Sequence, residues 1–129
     1  MKIQLKKLQH KNLFKLTSII DQETAKLSNI EWPFTKKVAE NFIINYNTWG
    51  IWVNGDLLIG AIEVKDSLET AYFVHPMWRN QGIASEALIQ CKEIFGPRQL
   101  WCVINPDNQA SLKVANKAKI RVQFFNGTE

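Results

Sequence analysis

The chain is poor in the residues that signal metal or disulfide chemistry. Of its 129 residues two are cysteines, Cys91 and Cys102, and two are histidines, His10 and His75. The cysteines lack a CxxC spacing, so they read as free buried thiols of a reducing compartment rather than as a disulfide framework. The histidines stand alone, no cluster has metal-ligand spacing, and no metal is expected. Long apolar runs are missing as well. The longest, LLIGAI (Leu57–Ile62), is far shorter than a membrane span. The opening MKIQLKKLQHK carries charge with no continuous apolar stretch behind it, which is not the pattern of a signal peptide. A cytoplasmic protein without membrane contact is the expectation. Glycine is sparse at six residues, and neither the G-x-G-x-x-G of a dinucleotide site nor the Gly-Lys-Ser/Thr of a P-loop occurs. No repeat, low-complexity segment or linker divides the chain, whose length suits one domain over residues 1–129.

What is present is an ordinary globular composition, 46% hydrophobic and 22% charged. Five tryptophans suit a core or cleft built from large rings. Sixteen Lys and Arg against twelve Asp and Glu give a formal charge of +4. Three readings compete for this mild excess: a solvated surface, attraction for a polyanionic small molecule, or attraction for RNA. Composition does not choose among them.

The order of elements narrows the field. KIQLKKL alternates as a strand, with Ile3 and Leu5 on one side. KNLFKLTSII carries Leu13, Leu16 and Ile20 at helical spacing, with Asn12 as N-cap. A polar stretch follows, and then a helix capped by Thr35 whose apolar face is Val38, Ala39, Phe42, Ile43 and Tyr46. WGIWV and LLIGAIEV flank Asn54-Gly55, a pair suited to a hairpin turn because both residues tolerate positive φ. ETAYFV is a further strand, ended by Pro76. A helix then runs from Ile83 with Ala84, Ala87, Leu88, Cys91, Ile94 and Phe95 on its apolar face, stopped by Gly96-Pro97. LWCVI reads as a strand, SLKVANKA as a helix and IRVQFF as a last strand. The predicted order is β-α-α-β-β-β-α-β-α-β, an α/β domain with a central mixed sheet flanked by helices. Its strand–loop–helix–strand unit, Glu69 to Ile104, is a crossover that joins parallel strands, with ligands expected at the carboxyl ends of those strands.

The loop RNQGIA (Arg79–Ala84) stands at the mouth of that unit. A helix N-terminus presents amide N–H groups without intrahelical partners and carries the positive end of the helix dipole. Converging N–H groups just before the first turn make an anion nest. Gly82 lets the chain bend and lets a phosphate approach the backbone with no Cβ in the way. Ala84 keeps the turn slim and Arg79 adds charge. A plain strand-to-helix turn with one glycine is the competing reading of these six residues.

R-x-x-G-x-A after such a strand resembles the acetyl-CoA signature of the GNAT family of N-acetyltransferases, Q/R-x-x-G-x-G/A. ETAYFVHPMWRNQGIASEAL is similar to the E-x-G-Y-x-x-x-P-x-x-W-x-x-G-x-A-x-E-A run of the family's RimJ/RimL-type ribosomal-protein acetyltransferase branch, with the tryptophan displaced by one place. Asn108-x-x-Ser111 before a helix matches the family's N-x-x-S segment. The resemblance spans Leu57 to Ala118. It implies acetyl-CoA as co-substrate, with its pyrophosphate on the backbone N–H groups of Arg79, Asn80, Gln81, Gly82, Ile83 and Ala84 and a hydroxyl added by Ser85. It implies a pantetheine arm slotted between the Glu69–Val74 strand and a splayed Leu100–Ile104 strand, pairing with backbone near Phe73 and Val74. Asn108 and Ser111 would contact the pantetheine or its thiol end.

Acetyl transfer to an amine requires a neutral nucleophile, a donor for the developing oxyanion and relief of charge on the departing thiolate. An unpaired N–H near Val74 suits the oxyanion. Glu69 is the first candidate for the base because the branch fills that position with glutamate, and an exposed strand-start carboxylate is the rival reading. Glu63 is the second candidate, with a surface role as its rival. His75 has a suitable pKa but lies in the turn, and Glu86 equally supports the helix N-terminus. Many family members place a tyrosine acid four residues after the N-x-x-S serine. Ala115 stands there, leaving Ser111 as the nearest hydroxyl, while Cys102 reads as an inert core thiol. After Lys119-Ile120 there is room for one strand, where the family usually builds a two-strand hairpin. The acceptor cleft is therefore expected to lack a wall or to borrow one from a second subunit in a homodimer. Trp32 and Phe34, between the first two helices, are the aromatic candidates for that cleft.

The expected function is transfer of an acetyl group from acetyl-CoA to a primary amine, a protein N-terminus or a small molecule, by direct attack in a ternary complex. The alternatives are a non-catalytic acyl-CoA-binding module, which Ala115 and the short tail favour, and an RNA-binding domain using Lys2, Lys6, Lys7, Lys113, Lys117 and Lys119.

Overall fold

A computed structural model describes residues 2–27, 30–45 and 47–124. The alternating N-terminal segment forms β1 (Ile3–Lys7), which pairs antiparallel with β2 (Asn47–Val53), Ile3 opposite Val53. Asn54 and Gly55 both take positive φ, 53° and 88°, and turn the chain into β3 (Leu57–Val64) as expected. β3 pairs antiparallel with β4 (Thr70–Val74), giving a sheet of order β1-β2-β3-β4.

A helical layer covers each face of this sheet. On one side lie α1 (Leu13–Thr17), α2 (Gln22–Leu27) and α3 (Lys36–Asn45), whose core residues Leu13, Leu16, Ala25, Ala39 and Phe42 meet Leu58, Ala61 and Phe73 of β3 and β4. Phe34, Phe42 and Phe73 pack with ring centroids 6.1–6.2 Å apart, each such ring contributing roughly 2–3 kcal/mol by burial. Phe34 is thereby a core residue, 6% exposed, and not the cleft residue its loop position suggested, while Trp32 is 44% exposed. On the other side α4 (Ile83–Phe95) buries Ile83, Ala87, Leu88, Cys91 and Phe95 against Ile51, Ile59, Ile62 and Val74. Ile94, placed on that apolar face by spacing, points outward at 47% exposure. Gly96 ends α4 with φ 62°. β5 (Trp101–Ile104), α5 (Gln109–Ala118) and β6 (Arg121–Phe124) complete the described chain, with β6 parallel to β5.

Four local differences from the sequence reading have plain causes. A 3-10 turn, His10–Asn12, precedes α1, and the Asn12 carboxamide accepts from the Gln9 N–H at 2.9 Å, capping that turn instead of the helix. Ile20 is buried but lies beyond the short α1. The polar stretch after it contains α2, because the Asp21 carboxylate accepts from the Thr24 N–H at 2.7 Å and starts a helix there. α5 begins two residues before Ser111, capped by Asn108. Thr35 does cap α3, its hydroxyl accepting from the Val38 N–H at 3.2 Å. The expectations for Tyr46 and Phe125 fall outside the described residues.

Cys91 and Cys102 are free and buried, and burial pushes both thiols up to about 12, so they are protonated and inert.

Candidate functional site

The site begins where two strands part. β4 and β5 meet at a single parallel bridge, Glu69 to Trp101, where the Trp101 N–H donates to the Leu68 carbonyl at 3.2 Å. Beyond it they belong to separate sheets. The His75 N–H donates to the Ile59 carbonyl at 2.7 Å and the Glu69 carbonyl accepts from the Lys65 N–H at 2.9 Å. Antiparallel alternation then turns the backbone of Phe73 toward β3 and leaves the peptide groups of Tyr72 and Val74 facing the gap. Of the pair expected to offer backbone to a bound arm, Val74 turns its peptide groups to the gap and Phe73 turns its own to β3, while both residues line the cavity.

The gap opens into a cavity of about 260 Å³ at the carboxyl end of β4. Its floor is the RNQGIA loop. Pro76 starts a 3-10 turn, Pro76–Trp78, in which His75 Nδ1 accepts from the Met77 N–H at 3.0 Å, so His75 serves the turn. Asn80 (φ 63°) and Gly82 (φ 75°) then reverse the chain. The Glu86 N–H is bonded to the Gly82 carbonyl at 3.1 Å, so the N–H groups of Ile83, Ala84 and Ser85 have no carbonyl one turn behind them. Every residue expected to bind cofactor lines this cavity except Gln81, which is exposed and directed elsewhere.

Three cations surround the nest. Lys113 and Lys117, one turn apart on α5, line the cavity, and Lys117 Nζ lies 3.8 Å from where a Gly82 Cβ would stand. The Arg79 guanidinium hydrogen-bonds to the Thr24 hydroxyl of α2, fixing that helix as the cavity's far wall. Asp21, whose carboxyl is held below the usual range mainly by its hydrogen bonds from Thr24, also feels the Arg79 charge. No motif or spacing in the sequence marks Thr24 as a partner of Arg79, 55 residues away. Lys113 and Lys117 were legible in the sequence only as members of the lysine set that an RNA-binding domain would use.

Toward β5 the first cavity meets a second of about 30 Å³, lined by Glu63, Lys65, Glu69, Cys102 and others. Tyr72, Asn108 and Ser111 line both. Asn108 is committed through its side-chain oxygen, which accepts from the Ser111 N–H at 3.1 Å. Glu63 is 6% exposed, and its Oε2 has no hydrogen-bond partner. Burial is the main force pushing its carboxyl up to about 7; Lys65 opposes and Glu69 reinforces the shift. Glu69, the first candidate from sequence, is instead engaged with Lys65 Nζ at 3.3 Å. Glu86 is exposed on α4 and accepts from Gln90 at 3.2 Å, away from both cavities. Ala115 is wholly buried in the core. Among the described residues no group of His, Cys, Asp and Glu is arranged to hold a metal ion, and no helix is long and apolar enough to cross a membrane.

A split sheet with an anion nest at the mouth of the split defines an acyl-CoA-binding acetyltransferase architecture. The family model described as an acetyltransferase (GNAT) domain matches residues 3–121, and the chain belongs to that family. Its general chemistry is acetyl transfer from acetyl-CoA. Among solved structures, the chain is similar to an acetyltransferase (GNAT family) from Bacillus anthracis, at TM-score 0.76 and 22% identity over 92% of this chain and 79% of that one. It is similar to the microcin C7 self-immunity acetyltransferase MccE in complex with acetyl-CoA and AMP, at TM-score 0.69 and 15% identity over 90% and 77%. It also resembles a spermidine N-acetyltransferase SpeG chimera from Vibrio cholerae and hSSAT, at TM-score 0.65 and 12% identity over 92% and 80%. No curated protein matches it by sequence. The expected α/β fold is therefore observed, with its sheet divided into an antiparallel four-stranded part and a parallel β5–β6 pair and with α2 added to the expected order.

Proposed function

We propose that this protein transfers the acetyl group of acetyl-CoA to a primary amine, by direct attack with both substrates bound. The observation that carries the reading is the junction of the two cavities, where an anion nest leads along an unpaired strand edge to a buried carboxylate without a partner.

The residues fit the cofactor in three respects. The Ile83, Ala84 and Ser85 N–H groups with Lys113 and Lys117 offer the positive potential that a pyrophosphate needs. Gly82 leaves open the space through which it would approach. The peptide edges of Tyr72 and Val74 can pair with an amide-bearing arm as a missing strand would. When bound there, acetyl-CoA supplies an activated acetyl thioester.

Glu63 is the proton acceptor in this reading, in place of Glu69. An amine arrives mostly protonated, and a carboxylate titrating near 7 is ionised enough to take its proton and basic enough to hold it. The Val74 N–H, facing the gap, is the donor available to an oxyanion. Ser111 keeps a place at the reacting end through its position at the junction. The motif run from Glu69 to Leu88 supports kinship with the RimJ/RimL-type branch, and with it a protein N-terminus or small amine as acceptor. The same reading makes the protein a cytoplasmic enzyme.

Glu63→Gln tests the proposal. Coenzyme A affinity should hold within about threefold while kcat falls about a hundredfold, the usual scale for losing a positioned base. Unchanged kcat would remove Glu63 from the chemistry. The buried Ala115 favours a second reading, a non-catalytic acyl-CoA-binding module, since α5 offers no phenol there. Tight coenzyme A binding without turnover on any of a panel of amines would select that reading.

A further inference from the structure

Among the described residues three buried side-chain atoms lack a hydrogen-bond partner: Trp52 Nε1, Glu63 Oε2 and the Tyr72 hydroxyl. Folds retain such atoms at a cost, so each calls for an explanation. Trp52 lies on β2 beneath Lys6, 4.3 Å from its ring centroid, and lines neither cavity. Glu63 has the role already described. Tyr72 remains.

Its position is specific. The residue sits on β4 with its peptide group facing the gap, and its side chain lines both cavities at their junction. Ser111 reaches the same point from α5, near enough to favour ionisation of the phenol but not placed to satisfy it. Burial outweighs that influence and pushes the phenol up to about 12, so near neutral pH it carries its proton and has it to donate. The thiol of Cys102 nearby is equally protonated and brings no charge. Glu63 lines the smaller cavity, and Lys113 and Lys117 the larger. A buried, unsatisfied donor at the meeting point of two cavities has a natural partner: an atom that gains negative charge there.

We propose that Tyr72 is a catalytic residue whose hydroxyl, steadied by Ser111, donates a hydrogen bond to the thioester sulfur as that sulfur departs. The inference rests on the acetyl-transfer reading above. In the step, the amine nitrogen bonds to the acetyl carbon, the carbon–sulfur bond breaks, and its electron pair stays on sulfur. The proton lost by the amine goes to Glu63 and from there to solvent. Tyr72 keeps its own proton, so coenzyme A leaves as a thiolate held by one charge-assisted hydrogen bond and is protonated by water after release.

The test needs no acceptor. The thiol of coenzyme A bound to the wild-type protein and to Tyr72→Phe is titrated through its thiolate ultraviolet absorbance, with each protein alone as the blank. The bound thiol should be more acidic in the wild type by about one pKa unit, the scale of one charge-assisted hydrogen bond, with coenzyme A affinity within about threefold in the two proteins. Ser111→Ala should give an intermediate value. Equal thiol pKa values in wild type and Tyr72→Phe would overturn the proposal and leave the acetyl-transfer reading standing. Failure of the wild type to bind coenzyme A would overturn both. Should the phenylalanine variant fail to fold, the wild type alone decides, because a bound thiol no more acidic than the free one contradicts the proposal.

Discussion

The two ends of the cleft are built on different plans. At the proposed phosphate end the groups are consecutive in the chain, the backbone N–H groups of Ile83, Ala84 and Ser85 aimed by one turn and the start of α4. At the reacting end they are side chains from three separate elements, Glu63 of β3, Tyr72 of β4 and Ser111 of α5. The first plan depends on backbone direction and tolerates most side chains. The second depends on burial, which holds a carboxyl near 7 and a phenol near 12. Damage to the first should therefore appear as lost affinity, and damage to the second as lost turnover.

The largest effect is expected from Gly82→Asp. Its φ of 75° disfavours any side chain, and the new carboxylate would occupy the nest. Calorimetry should show coenzyme A affinity weakened by more than about a hundredfold, since a like charge within a few ångströms costs at least a few kcal/mol. Unaltered affinity would mean that the nest is not where phosphate binds. Next comes Glu63→Gln, with the roughly hundredfold fall in kcat described above. In the wild type kcat/KM should fall as pH drops through about 7, as Glu63 takes up its proton. That limb should be missing in the variant.

The same residue separates function from stability. Its carboxyl titrates higher in the fold, about 7 against 4.5, so the fold favours the protonated form. The stabilisation is complete below the ordinary value, declines between 4.5 and 7, and is gone above 7. There the buried anion weighs on the fold by up to about 3 kcal/mol. Thermal unfolding should accordingly show Glu63→Gln more stable than wild type above neutral pH, with the advantage vanishing in acid. Equal stability at all pH would contradict the burial argument. A smaller effect belongs to Lys113→Ala and Lys117→Ala, each expected to weaken coenzyme A binding about three- to tenfold, and less so at high salt. Glu69→Gln should be mildest, a drop in kcat of about threefold, because the Glu69–Lys65 pair is partly exposed, at 26% and 37%.

The same contrast explains what sequence could reveal. RNQGIA, its strand and the Gly96 stop are local, so periodicity and turn chemistry placed a candidate nest at the start of a helix, and the family resemblance supplied the rest of the expected set, without Thr24, Tyr72, Lys113 or Lys117. The hairpin at Asn54-Gly55 was legible for the same reason. α2 was missed because Asp21 caps it from within a stretch that reads as polar loop. Glu63 ranked below Glu69 because a strand carboxylate looks like surface until the register places it opposite Ala71 beside the gap. Tyr72 drew no notice as a donor, since its significance lies in having no partner, and that depends on what α5 and β5 bring alongside. Phe34 erred the other way: its loop suggested a cleft, and the ring instead packs on Phe42 and Phe73.

A crystal structure with acetyl-CoA bound tests the central claim most directly. Pyrophosphate oxygens should lie on the N–H groups of Ile83, Ala84 and Ser85, the pantetheine amides should pair with Tyr72 and Val74, and the thioester sulfur should come within hydrogen-bond reach of the Tyr72 hydroxyl. A cofactor seated elsewhere, or β4 and β5 zipped together with no room for the arm, would contradict it.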